Sequence, residues 1–201
     1  MTILTCSTEV SLWRDTVRHG EDMCAIALEE ELEAYLVFLL MRYVSHPEVA
    51  KRVLAAKFLE SMQVHGSQRQ ALLQSLGDES LLFAGLFPHL AQRKQVKLRY
   101  FVDIGKAAYS TISLKKNDLF CTLAQQFVVL MDVLQSIHQH AKDVADLLPL
   151  EAYERWNTIG SQRALHILEQ YSTATPIQVP VSPEDSSDLG IIKLSPKDKL
   201  Q

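Results

Sequence analysis

Between Phe120 and Val144 the residues Phe120, Leu123, Phe127, Leu130, Leu134, Ile137, Ala141 and Val144 follow one another at spacings of three and four for over three heptads. Only a helix gathers residues at such spacings onto one side, because successive residues of a strand face opposite ways. Threes and fours recur along the rest of the chain, no alternation of period two lasts, and no Asn-Gly or Asp-Gly turn occurs. The expected fold is therefore all-α. With 201 residues, 47% of them hydrophobic, the chain can bury a real core, and the expectation is one bundle of about six to eight helices over residues 1–171. Four of the seven prolines (Pro176, Pro180, Pro183, Pro196) fall in residues 172–201, which reads as a flexible tail.

Breakers and caps set the expected boundaries. A short amphipathic helix is predicted over Ser7 to Arg18, with Val10, Trp13 and Val17 on one side. A second is predicted over Asp22 to Val44, with Leu28, Leu32, Tyr35, Leu36, Leu39 and Tyr43 on its stripe and its second half apolar nearly all round. The acidic group Glu29 to Glu33 reads as a solvated face whose charge suits a helix N-terminus. Pro47 ends that helix, and Ser45 with Glu48 forms a capping box for the next one, which runs to about His65 and is stopped by Gly66.

Ser67 to Leu76 and Glu79 to Phe87 read as two short pieces, broken at Gly77 and followed by Pro88, with Asp78 capping the second. Leu98 to Ser113 shows a clean buried stripe of Leu98, Phe101, Gly105, Ala108 and Ile112. A glycine inside a helix costs roughly 0.5 to 1 kcal/mol relative to alanine, so Gly85 and Gly105 are read as marks of close helix crossings. One long helix is predicted from Asn117 or Asp118 to Leu148. Pro149 opens the last helix, packed antiparallel to the long one, with Tyr153, Trp156, Gly160, Ala164, Ile167 and Tyr171 on its inner line.

Several function classes lose support at this level. A formal charge of −4 with interspersed signs gives no pull toward nucleic acid. The longest apolar run, Ala34 to Val44, is interrupted by Arg42 and falls far short of the ~20 residues a transmembrane helix needs. The first residues carry no signal-peptide pattern, and Cys6, Cys24 and Cys121 form no CxxC. Free thiols in a reducing, cytoplasmic compartment are the expectation. No nucleophile elbow, phosphate loop or dinucleotide fingerprint is present. No metal or cofactor is expected: Glu-x-x-His is absent, His138 and His140 point roughly 200° apart on a helix, and His166 with Glu169 reads as a surface pair.

The stretch Gly77 to Tyr109 concentrates the remaining interest. Arg99, Asp103 and Lys106 share one helix face, where an exposed ion-pair ladder is the plain reading. The functional reading sets Arg99, Tyr100, Asp103 and Tyr109, together with Asp78 and His89, around a groove for a small ligand or a partner's basic segment. The strings GDESLLFAGLFP (77–88) and YFVDIGKAAY (100–109) resemble a pattern of an uncharacterised family of all-helical bacterial proteins. That resemblance covers about a sixth of the chain; it implies a bacterial source and a helical fold, and no catalytic residue.

The favoured function is that of a non-enzymatic interaction or regulatory protein, self-associating or binding a protein partner through an apolar helical face, the heptad-like helix around Leu123 to Val144, a seam that a single domain could instead bury internally. The competing one is a helical ligand binder or enzyme, similar in size to heme-oxygenase-like proteins, with a pocket near residues 77–109.

Overall fold

The computed structural model describes residues 2–45, 63, 65–88, 97–114, 118–142, 147–171 and 176–177. They form eight helices: α1 (Thr2–Cys24), α2 (Glu30–Ser45), α3 (Gly66–Leu86), α4 (Leu98–Ile112), α5 (Leu119–Gln125), α6 (Phe127–Lys142), α7 (Pro149–Ile159) and α8 (Gln162–Tyr171). The all-α expectation holds, with no strand among the described residues. The helix expected between Pro47 and His65, and nearly all of the tail, lie outside the described residues.

α3 is the central element. From Leu76 to Leu86 each of its residues is buried, which requires neighbours on every side. It packs mainly on α4 and α6, while α1 lies against α2 and α6, and α5 lies against α4. The main core joins α1 to α6, whereas Ala152, Trp156, Ala164 and Ile167 form a smaller cluster between α7 and α8.

Two crossings depend on absent side chains. A Cβ at Gly85 would stand 2.5 Å from the Leu134 Cβ on α6. One at Gly105 would enter the Phe127 ring and come within 3.1 Å of the Ser80 Cβ. The reading of both glycines as close crossings is thus correct. Of the stripe expected on α4, Phe101, Gly105, Ala108 and Ile112 are buried, while Leu98 at its start is only partly buried.

Elsewhere tertiary packing overrides the local signals. α1 runs past Arg18 to Cys24 because Val17, Gly20, Glu21 and Cys24 are buried along it. The single helix expected from Asp22 is cut by a turn. Ala25 takes the left-handed region at φ 53°, the Ile26 N–H donates to the Glu21 carbonyl at 3.0 Å, and the Ala25 N–H donates to the Asp22 carbonyl at 3.2 Å. This is a Schellman termination, which usually announces itself by a glycine; here an alanine fills the place. Of the acidic group, Glu29, Glu30 and Glu31 are exposed as expected, but Glu33 is buried and receives Arg18 Nε at 3.1 Å and Arg14 Nε at 3.4 Å. Nor is α2 covered all round, for Phe38 and Val44 are exposed.

The two pieces expected on either side of Gly77 are one helix, α3, with Asp78 in its interior and capping nothing. The long helix expected after Asp118 is instead two: α5 and α6 are bent by 71° at Gln126, whose φ −91° and ψ 10° lie in the bridge region. The bend lets α5 lie along α4 while Phe127 drops beside Gly105. The last helix is also two, divided by Gly160 at φ 75°, a left-handed C-cap that glycine adopts without cost. α7 therefore folds chiefly onto α8 rather than running along α6.

Leu123, Phe127, Leu130 and Leu134, the seam expected as an association face, are fully buried in the chain's own core, so these residues are not open to a second copy. Among the described residues no single helix is long and apolar enough to cross a membrane. α5 and α6 reach the composition test only together, across their bend.

The Gly85 contact gives a direct test. Gly85→Ala should destabilise the protein by about 1–3 kcal/mol through overpacking, and Leu134→Ala, which keeps the Cβ that stands 2.5 Å away, should not restore the lost stability, as read from denaturant unfolding.

Candidate functional site

The buried polar residues Asp78, Glu79 and Ser80 follow one another in the middle of α3. A carboxylate taken out of water is costly unless its oxygens find donors. Asp78, only 4% exposed, finds them on three sides. Its Oδ1 accepts from the Tyr109 hydroxyl at 2.8 Å and from the Tyr35 hydroxyl in a very short contact. Its Oδ2 accepts from Arg42 Nη1 at 3.0 Å. The carboxylate thus ties α2 and α4 to α3.

The neighbouring residue explains how Tyr109 gets there. A Cβ at Gly77 would overlap the Tyr109 ring, at 2.7 Å from Cδ1, so the glycine lets the fully buried ring lie flat on the backbone of α3. Phe120 and Phe127 flank that ring at centroid distances of 6.1 Å each, and Tyr35 stands edge-on at 6.4 Å. Gly77, Asp78, Gly105 and Tyr109, four marked positions of the 77–109 stretch, meet at one crossing.

Burial pushes the Asp78 carboxyl up, while the two tyrosine hydroxyls and Arg42 pull it down. Burial, and then the Asp78 charge, push both the Tyr35 and Tyr109 hydroxyls up. Both phenols therefore stay protonated as donors across the physiological range, as the hydrogen bonds require. Arg42, with a side chain 53% exposed, leads from the carboxylate to solvent.

The groove expected from the sequence is assembled only in part. Asp78 and Tyr109 come together. Arg99 and Asp103 pair with each other at 3.4 Å on the exposed side of α4, one rung of the ladder expected with Lys106, and Tyr100 rests edge-on against Phe101 at 5.5 Å. His89 lies outside the described residues. Tyr35 and Arg42 were missed because Tyr35 fits the apolar stripe of its helix. The signal that could have found them is their spacing of seven, which puts the lone charge of the run Ala34 to Val44 on the side of the tyrosine.

A second buried polar network was not legible at all. Asp132 on α6 accepts from the Ser161 hydroxyl at 2.7 Å and from the Arg163 N–H at 3.2 Å. Ser161 caps α8 in turn, accepting from the Ala164 N–H at 3.1 Å. A carboxylate from another helix therefore sits at the N-terminus of α8, where the helix dipole favours it. Arg155 on α7 donates to Gln135 at 3.0 Å, and Gln135 donates to the Ala84 carbonyl at 2.9 Å. Cys24 is buried against Ser136, Sγ to Oγ 2.7 Å, and burial pushes its thiol up. It is an inert core group.

His138 and His140 diverge, one towards the Phe87 ring at 6.3 Å and the other onto His19 at 4.6 Å. His166 and Glu169 are an exposed pair at 3.9 Å. Among the described residues no group of three His, Cys, Asp or Glu side chains could hold a metal ion.

No family model matches the chain, and neither a curated protein nor a solved structure matches it.

Two measurements follow from these networks. Asp78→Ala strands two hydroxyls and a guanidinium and should cost about 3 kcal/mol of stability, against about 1 kcal/mol for Tyr109→Phe, which leaves two donors on the carboxylate; chemical unfolding of both variants checks the order. Burial pushes the Asp132 carboxyl up to about 6. The folded protein then binds this proton more tightly than the unfolded chain, so the contribution is full below about pH 4 and is lost as pH rises through about 6. That loss is on the order of 3 kcal/mol. Unfolding midpoints followed over this range should lose that part of their slope in Asp132→Asn.

Proposed function

We propose that the chain is a non-enzymatic helical interaction or regulatory protein that self-associates through the outer face of α2. The observation that carries this reading is Phe38, 59% exposed in the middle of a helix whose other side is core. At 100° per residue, Glu31, Ala34, Tyr35, Met41 and Arg42 lie within roughly 60° of Phe38 around the helix, with Tyr35 and Arg42 drawn to Asp78 at the edge of this face. The face is thus apolar at its centre, acidic at one end and basic at the other.

Such a face can pair antiparallel with a second copy about a two-fold axis, Phe38 against Phe38, with Glu31 of each copy approaching the exposed side of the other copy's Arg42, which stays paired with Asp78. Asp78 supports the arrangement by holding Arg42 and Tyr35, and with them α2, against α3. Its oxygens are already engaged by three donors, which leaves little for a general base to do. The cysteine pattern supports a cytoplasmic setting, and the 77–109 resemblance supports a bacterial source.

Light scattering of the purified chain at micromolar concentration tests the proposal. A dimer is expected for the parent and a monomer for Phe38→Lys, with dissociation favoured by salt; a monomeric parent protein would sink the idea.

A further inference from the structure

We infer that α7 and α8 form a lid that lifts as one unit from the rest of the chain and uncovers the Cys24 thiol, without unfolding the main core. This inference is independent of self-association. Its basis is the kind of surface on which the pair rests. α7 and α8 carry an apolar cluster of their own, made of Ala152, Trp156, Ala164 and Ile167, and among the described residues Ile159 is the apolar side chain that links them to the main core. Polar groups carry the seam. Arg155 of α7 donates to Gln135 at 3.0 Å, Arg163 of α8 donates to Gln139, and Asp132 accepts from the Ser161 hydroxyl at 2.7 Å and from the Arg163 N–H at 3.2 Å. Asp132, Gln135 and Gln139 follow one another at spacings of three and four on α6, so they form one polar stripe along that helix.

Opening such a seam costs less than opening a core. Hydrogen bonds broken at a polar seam are replaced by bonds to water, and Asp132 regains its hydration, whereas apolar surface brought into water gains nothing in return. Contiguous helical pairs commonly open in this way as cooperative units, below the free energy of global unfolding. Gly160 joins α7 to α8 through a left-handed turn at φ 75°, and their shared cluster keeps them together as they move. Cys24 lies under the seam. Its Sγ is 2.7 Å from the Ser136 Oγ and 3.4 Å from the Asp132 carbonyl, both on α6, α8 touches α1, and the Arg163 charge reaches the thiol. Cys24 thus stands where α1, α6 and α8 meet, 3% exposed with the lid closed. Lifting α8 removes its cover on that side, so a thiol that is inert in the closed form reports each opening.

Alkylation of the full chain by iodoacetamide, with each cysteine followed separately by peptide mass spectrometry, tests the lid. Ser161→Ala removes both the bond to Asp132 and the cap of α8, and the Cys24 rate should rise roughly tenfold. Gly85→Ala, which strains the crossing of α3 and α6 inside the main core, should leave that rate unchanged. Hydrogen exchange on the same samples should show the amides of α7 and α8 losing protection together in Ser161→Ala, with those of α3 unaffected. A Cys24 rate unchanged in Ser161→Ala, or raised as much by Gly85→Ala, overturns the lid. Should Ser161→Ala fail to fold, hydrogen exchange of the parent protein decides: α7 and α8 opening together and more readily than α3 supports the lid, and one common opening free energy overturns it.

Discussion

A carboxylate buried at the centre of a helix is the constraint around which this chain is arranged. Asp78 cannot be desolvated alone, so two tyrosines and an arginine must reach it from α2 and α4. Each donor fixes something larger than itself. Tyr109 fixes the register of α4 on α3, because its hydroxyl meets Asp78 only when its ring lies on Gly77. Tyr35 and Arg42 fix the rotation of α2, because two groups seven residues apart must face the same acceptor. The outer face of α2, with Phe38 at its middle, follows from that rotation.

The small residues complete the constraint. Gly77 admits Tyr109, Gly105 admits Phe127, and Gly85 admits Leu134, so α3 is approached closely by two helices along most of its buried length. Close approach brings many dispersion contacts per residue, which offset the entropy lost in ordering glycines inside a helix. Asp132 plays a comparable part at the far side of the core, where it receives the capped N-terminus of α8 and joins the small α7–α8 cluster to α6. Two buried carboxylates thus govern how separate helical units are joined, and apolar packing does the rest.

The sequence conveyed what depends on neighbours along the chain. The period of three and four implied an all-helical fold, the stripe of α4 was read residue by residue, and Gly85 and Gly105 were recognised as crossings. Helix ends were less legible. Ala25 terminates α1 in a place where glycine is the usual signal, and Gln126 bends the chain with no proline or glycine to announce it. Gly77 and Asp78 gave the opposite error, since a glycine followed by a capping residue is a good local reason to start a new helix. Burial on every side of α3 outweighs that preference, which is worth about 1 kcal/mol.

What the sequence by itself determined was the helical class, the amphipathic face of α4 and the close crossings at Gly85 and Gly105, because these rest on periodicity and on residue size. Only the tertiary structure decided the partners of its polar groups. Asp78 took Tyr35 and Arg42 from a helix more than thirty residues away in the chain, and Asp132 took Ser161 and Arg163 from another. Periodicity tells which way a side chain faces along its own helix, whereas the donor that a buried carboxylate finds depends on how helices cross, and no local pattern carries that information.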